Sequence, residues 1–242
     1  MTIQPMAPSI RPITGAPYCA EQHAQHFRTD ANGAQHASGT EGVIHFCRDS
    51  RGRTYQDFHV DIVPSNLDPT PRPLYTFRVR DPVAGVQYII DPQNHVAHRF
   101  LLTIDTELPS GAARGGPAPQ ANQQTAQRSS DSPDPKRPII THVSLGTQIF
   151  EGEPAEGHRT VITYPTGSRG NDGPFSETQE QWISPYLKLP ILIKITNPLS
   201  FDSVIRLTKI TRNEPDPNLF LIPSDYKIVD ENGPFEVTWY FN

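Results

Sequence analysis

Proline supplies 26 of the 242 residues, and a residue that cannot donate a backbone hydrogen bond at this density leaves little room for long helices. The net charge of −5 provides no basic surplus, which argues against nucleic acid as the main partner. An apolar fraction of 35% suits a polar but folded domain, and no window reaches the ~18 apolar residues of a membrane span.

Residues 1–17, "MTIQPMAPSIRPITGAP", read as an extended N-terminal arm. They lack the basic start and the ~7–15-residue apolar stretch of a secretory signal, so the residues alone suggest a soluble chain. Strand-like patterning begins at Tyr18. "CAEQHAQHFRT" leads to "DANG" at 30–33, a hairpin-type turn, and "GVIHFCR" follows. "DSRG" at 49–52 turns the chain into "RTYQDFHVDIV", where Tyr55 and Asp57 point one way and Thr54, Gln56 and Phe58 the other. After a Pro-rich connection at 64–73 come "LYTFRVR", "GVQYIID" and "HVAHRFLLTID", joined by turns at Asp81-Pro82 and Asp91-Pro92. Proline presets φ at the first central turn position, and aspartate caps the turn through its side chain.

Residues 106–137 are a low-complexity run of Gly, Ala, Pro, Gln and Ser with little to bury, which reads as a disordered excursion. Strand signals resume at Ile139 with "THVSLGTQIFEG", "GHRTVITYP", "SETQEQWIS", "LKLPILIKITN", "SVIRLTKITRN" and "FEVTWYF". "ILIKIT" against "VIRLTKI" predicts a hairpin around "NPLSFD", and only 214–226 suggests a helical turn. The implied fold is mainly β: one domain over 18–242, built on a curved antiparallel sheet with few or no long helices and interrupted at 106–137.

Little of the sequence points to chemistry. His23 and His26 lie three apart, as do His95 and His98, and odd spacing on a strand sends each pair to opposite faces. A metal site would need His23, His45 and His59 to converge with Asp57, and surface histidines explain these residues more simply. "SRGNDGP" at 168–174 offers Asn171 and Asp172 as oxygen ligands for calcium, yet a tight turn accounts for the same residues. There is no Gly-x-Ser-x-Gly elbow, and neither Ser144 nor Ser184 has an orienting partner in its neighbourhood. Glu177 and Glu180 fall on opposite strand faces, and phosphate-loop and dinucleotide glycine patterns are absent. The sequence therefore leans away from an enzyme and calls for no cofactor and no metal. Cys19 and Cys47 could stay free or form one disulfide, and Cys47 in "VIHFCRD" reads first as a small buried side chain.

The aromatic residues are the best candidates for a site. Tyr88, Trp182, Tyr186, Phe220 and Tyr226 would line an apolar pocket if a curved sheet turned one face toward a cavity; Trp239 and Tyr240 belong to the same set. Core packing is the plain alternative for each.

Several stretches together resemble an uncharacterised bacterial (acidobacterial-type) family of exported proteins: "RDSRGRTYQD", "RDPVAGVQYIIDP", "LGTQIFEGEPAEGHRTVITYPTGSRGNDGPF", "EQWISPYLKLPILIK" and "RLTKITRNEPDPNLFLIPSDYKIVD". That resemblance implies a periplasmic or secreted location. A looser one, carried by "YIIDPQNHVA", "ILIKITNPLSFDSVIRLTKI" and "DPNLFLIPSDYKIV" with Phe220, Pro223 and Tyr226, is to periplasmic lipoprotein-carrier and sensor half-barrels. It implies an open half-barrel that shelters a lipid or an acylated protein. The expectation is a non-catalytic, envelope-associated binding protein. A pocketless structural module and a hydrolase assembled from separate strands are the rivals.

Overall fold

Alternating and β-branched segments separated by Gly, Pro, Asn and Asp have few options besides strands, and strands dominate the computed structural model of the chain. It describes residues 2–3, 9–29, 34–37, 42–62, 72–104, 136–199 and 201–237. The expected turn at 30–33, nearly all of 106–137, and Trp239 and Tyr240 lie outside the described residues.

The N-terminal strands are β1 (Thr2–Ile3), β2 (Ser9–Ile10), β3 (Tyr18–Thr29), β4 (Gln35–Ala37), β5 (Gly42–Arg48) and β6 (Thr54–Ile62). They continue as β7 (Arg72–Asp81), β8 (Val86–Asp91), β9 (Val96–Leu101) and β10 (Thr103–Ile104). The C-terminal strands are β11 (Ile139–Phe150), β12 (Glu153–Tyr164), β13 (Phe175–Ser184), β14 (Leu189–Thr196) and β15 (Asp202–Thr211). A 3-10 turn, Pro217–Phe220, precedes β16 (Lys227–Asp230) and β17 (Phe235–Glu236).

One sheet of 13 strands runs in the order β11-β12-β13-β14-β15-β3-β5-β6-β7-β8-β9-β16, with β4 beside β3. It is curved and open, since its two end strands do not meet. All neighbours are antiparallel except β16, which joins β9 in parallel. The chain leaves β15 in the middle of the sheet, crosses the 3-10 turn and reaches the far edge, so β16 arrives pointing along β9. This parallel edge is a departure from the purely antiparallel expectation. The N-terminal residues also return to the fold: Thr2 and Ile3 pair with Glu236 and Phe235, and Ser9 and Ile10 pair in parallel with Thr103 and Ile104.

Local sequence sets the turns. Asp81 Oδ1 accepts from the backbone N–H groups of Val83 and Ala84, and Asp91 Oδ1 from those of Gln93 and Asn94, so both Asp-Pro turns are capped alike. β11 and β12 meet at Glu151-Gly152, where φ is 50° and 77°, the left-handed pair that a two-residue hairpin requires. Cys19 lies directly opposite Cys47 on β3 and β5 with Cα atoms 4.1 Å apart, and the two form a disulfide. The first reading of Cys47 as a free buried side chain is thereby corrected: cross-strand register, invisible in a spacing of 28 residues, brings the sulfurs together.

Three apolar clusters anchor the sheet. Cys47, Val79 and Phe220 pack the 3-10 turn onto one face, with Tyr55, Phe77 and Tyr88 around them. Ile89 and Phe100 meet Phe235 and Val237 elsewhere in the meander. The largest cluster, Tyr18, Ala20, Ala155, Trp182, Leu187, Ile191, Leu192 and Leu207, bridges the two halves of the sheet.

Candidate functional site: a trough where the sheet splits

β14 and β15 form the expected hairpin, but their ladder lasts only from Ile195↔Ser203 to Leu192↔Arg206. Beyond Leu192 the strands part. Pro190 sits there; it has no N–H to donate, and its register partner is Ile183 on the other side, on β13. β15 meanwhile follows β3, with an irregularity between Thr208 and Thr211 and Lys209 at φ 51°. Residues 189–191 and 207–211 therefore flank a split in the sheet.

Two hollows open at this split. One, of about 180 Å³, is lined by Tyr18, Phe46, Leu189, Ile193, Ile205 and Leu207, with Gln22 and Arg206 as its polar members. The other, of about 330 Å³, is lined by Phe150, Leu192, Val204, Lys194 and Glu151 among others. They share Ile191, Arg206 and Leu207 at the split, while Ile193 and Ile205 face one side of the hairpin and Leu192, Lys194 and Val204 the other. The trough therefore consists of two hollows on opposite faces that meet at the split. The smaller hollow is close to the ~150 Å³ cavity that holds one benzene, and the larger is at the lower end of ligand pockets, about 300–1,000 Å³. Such a trough takes one apolar segment at a time; a whole diacyl lipid would overhang it.

Polar contacts close the end of the split. The buried Arg48 donates from Nε and Nη2 to Ala16 O at 3.0 and 2.8 Å and from Nη2 to Leu187 O at 2.7 Å, with its guanidinium over the Tyr18 ring. Burial pulls the pKa of Arg48 down and pushes that of Tyr18 up, the latter opposed by the charge on Arg48. Across the split, the buried Glu153 accepts from Ser184 Oγ at 2.5 Å and from Arg212 Nε at 2.7 Å. Ser184 Oγ in turn accepts from Leu187 N at 2.9 Å. Lys209 N donates to Glu151 Oε2 at 3.3 Å. The tips of the β11–β12 and β13–β14 hairpins are thus fastened to β5 and to the end of β15, which leaves the trough open between two fixed points.

The structure distributes the five aromatic candidates over separate surroundings. Tyr88 and Phe220 join the cluster beneath the 3-10 turn, and Tyr226 lies 6.4 Å from Phe77 and 5.0 Å from His95, ring centre to ring centre. Trp182 belongs to the bridging cluster: its ring covers Gly157, where a Cβ would come within 2.7 Å of it, and its Nε1 donates to Glu180 at 2.8 Å. Tyr186 stands at the β13–β14 turn with Arg212 4.4 Å above its ring. None of the five lines the two hollows. Sequence reasoning passed over Leu189, Ile193, Ile205 and Leu207, which do line them. The available signal was the excess of apolar residues in "ILIKIT", more than one buried face needs.

The chemical candidates fall into structural roles. Ser184 is fully buried and committed to Glu153 and Leu187. Asn171 holds its loop by donating to Pro165 O and Gly173 O and accepting from Arg169 N. His45 stands between Glu21 and Asp57 in a cross-strand row, at 3.4 and 3.0 Å, and Lys209 reaches Glu21 at 2.8 Å. Among the described residues, no three His, Cys, Asp or Glu side chains are placed to hold a metal ion. No helix in the described residues is long and apolar enough to cross a membrane.

No family model and no curated protein matches the chain. Solved structures with similarity to it include MucB, 12% identical over 89% of this chain with a TM-score of 0.38. Another is LprF from Mycobacterium bovis, 10% identical over 84% of this chain and 90% of that one, with a TM-score of 0.32. The chain spans 60% of the length of the MucB chain. The likeness is loose and stays at the level of the fold.

Proposed function

We propose that this is a non-catalytic, envelope-associated binding protein that holds an apolar chain, from a lipid or an acylated ligand, in the trough along β14 and β15. The observation that carries the reading is the split itself. Leu189, Ile193, Ile205 and Leu207 line an open hollow in the middle of a sheet, where a protein without a ligand would ordinarily close the ladder or pack a side chain. The domain arrangement that goes with it is a single β domain over 18–242, preceded by an arm at 1–17 and interrupted at 106–137. In this reading Trp182 and Tyr186 support the sheet beside the split, and Tyr88, Phe220 and Tyr226 support the meander.

The Cys19–Cys47 disulfide favours an oxidising compartment, so a periplasmic or secreted location fits this reading. Native mass spectrometry of the protein, followed by organic extraction, tests it. A co-purifying acyl species, or a gain in melting temperature from a panel of fatty acids and phospholipids, is the expected result. A clean protein mass with no stabilisation across that panel contradicts it and leaves a pocketless structural module.

A further inference from the structure

A third hollow, on the far side of Arg48 from the trough, has a different chemistry. Arg48, Thr54 and Arg80 are directly opposite one another across β5, β6 and β7, and Arg78 is two residues from Arg80 on the same face. With neighbouring strands ~4.8 Å apart, the backbones carrying Arg48 and Arg80 are about 10 Å apart. Arg48 commits Nε and Nη2 to Ala16 O and Leu187 O, and Arg80 commits Nε to Gln87, which leaves Nη1 of Arg48 and both Nη groups of Arg80 for a ligand between them. Between them is a space of about 170 Å³, lined by Arg48, Thr54, Arg80, Gly52 and the arm residues Arg11 and Ile13.

What this cluster lacks is an acid. Arg53, Arg99, Arg159 and Arg212 each meet a carboxylate, and no such pair involves Arg48, Arg78 or Arg80 among the described residues. Asp49, next in sequence to Arg48, is committed elsewhere: it accepts from Arg51 N, Arg53 N and Arg53 Nε. Arg80 Nε donates to the neutral Gln87 at 2.6 Å, and Arg78 Nε is out of contact with solvent and has no partner. Desolvation draws the pKa of both Arg78 and Arg80 downward, and the charge on Arg78 draws Arg80 further. Cations gathered without a counter-ion and partly removed from water are unfavourable until an anion joins them. This holds in a chain whose net charge is negative, so the concentration of positive charge is local.

We propose that Arg48, Thr54 and Arg80, with Arg78 beside Arg80 at the margin of the hollow, form a binding site for a phosphate group, carried by a small water-soluble ester or by a lipid headgroup. Three guanidinium groups call for more charge than one carboxylate supplies, and a phosphate monoester near neutral pH carries about −1.5 to −2 with three acceptor oxygens. Guanidinium forks suit those oxygens in pairs, and the Thr54 hydroxyl adds a neutral donor. Arg48 also fastens the end of the trough, so the variants are placed at Arg78 and Arg80, and inorganic phosphate, which has no apolar chain, tests this site apart from the trough.

The experiment is calorimetric titration of the full chain with sodium phosphate against sodium chloride at matched ionic strength. Alongside it, the Arg78 Nε resonance is followed by NMR. The expected result is saturable binding of phosphate, at least tenfold weaker in Arg80→Gln and in Arg78→Gln and unchanged in Arg169→Gln, a control at the remote β12–β13 loop. The Arg78 Nε resonance should move in step with saturation. Heats equal to those of chloride, wild-type affinity in both cluster variants, or a stationary Arg78 resonance would overturn the proposal. The resonance decides the matter in the wild-type protein even where a variant does not fold. Dihexanoyl phosphatidic acid separates the two sources. Binding at least tenfold tighter than phosphate assigns a lipid headgroup and equal binding a water-soluble ester; displacement of phosphate in either case supports the site.

Discussion

The meander β5–β9 has strands of 6 to 10 residues and the hairpin arm β11–β13 strands of 10 to 12, yet the longer strands of the arm bury less of themselves. In β8 and β9 most side chains are buried on both faces, because the 3-10 turn covers one face and Phe235 and Val237 cover the other. β11 is exposed nearly throughout, with Ile139 and Ile149 each about two-thirds accessible. The arm is therefore held by its hydrogen-bonded register and by one apolar anchor, the Trp182 cluster at the split. Strands flanking a split need fixed anchorage on each side for the split to stay open. Here the disulfide and the meander core fix one side, and Trp182 with Glu153 fixes the other.

That comparison breaks most decisively at Trp182. Trp182→Ala removes the ring that covers Gly157 and meets Phe150 at 5.2 Å, and it should destabilise the protein by about 3–5 kcal/mol in urea unfolding. Hydrogen exchange should then accelerate in β11 and β12 before β8 and β9; uniform acceleration would mean that the arm is not separately anchored. Next is the disulfide. A bridge between residues 28 apart is worth about 3–4 kcal/mol by the chain-entropy account, so Cys19→Ser with Cys47→Ser should lower stability by that order. The loss should appear first in β3 and β5. A double variant as stable as the parent would show that the meander core suffices alone.

Third, Glu153→Gln removes the charge that Arg212 and Ser184 share, and should cost about 2–3 kcal/mol in the same assay. Restoration by the further change Arg212→Met would identify the stranded cation as the cause. The smallest effect sharpens the picture through pH. Hydrogen bonds from Arg159 and then Trp182 hold the Glu180 carboxyl below its ordinary pKa. A depressed value in the folded state means that this contribution is present above the unfolded pKa and is lost as pH falls through the folded one. The Arg159 side chain is 43% accessible, so screening by solvent keeps the contribution under ~1 kcal/mol. Glu180→Gln should flatten the acid limb of the stability curve by that small amount, and an unchanged limb would remove Glu180 from the account.

Much of the strand plan was legible because its punctuation is local. Asp81-Pro82, Asp91-Pro92 and the 3-10 turn at 217–220 each depend on a few adjacent residues, and the structure places a turn at each. The alternation in β6 likewise put Tyr55 and Asp57 on one face. What escaped the sequence depends on register and crossover. The Cys19–Cys47 bridge, the parallel edge of β16 and the union of Arg48 with Arg80 all require knowing which residues stand opposite each other across strands distant in sequence. The trough escaped for a related reason: Pro190 looks like any strand proline until its partners are known. Aromatic residues draw attention as ligand contacts, but Trp182 and Phe220 have enough area to dominate packing, and the structure uses both in that way.

The account turns on whether the trough binds an apolar chain, and titration with dodecanoate followed by intrinsic fluorescence or calorimetry tests that most directly. Ile193 and Ile205 face each other across the last paired segment before the split and both line the smaller hollow. Saturable binding by the parent protein, weakened at least tenfold in Ile193→Glu and Ile205→Glu and unchanged in Ile149→Glu on the exposed arm, is the predicted result. No saturable binding, or equal affinity in all four proteins, would contradict the account.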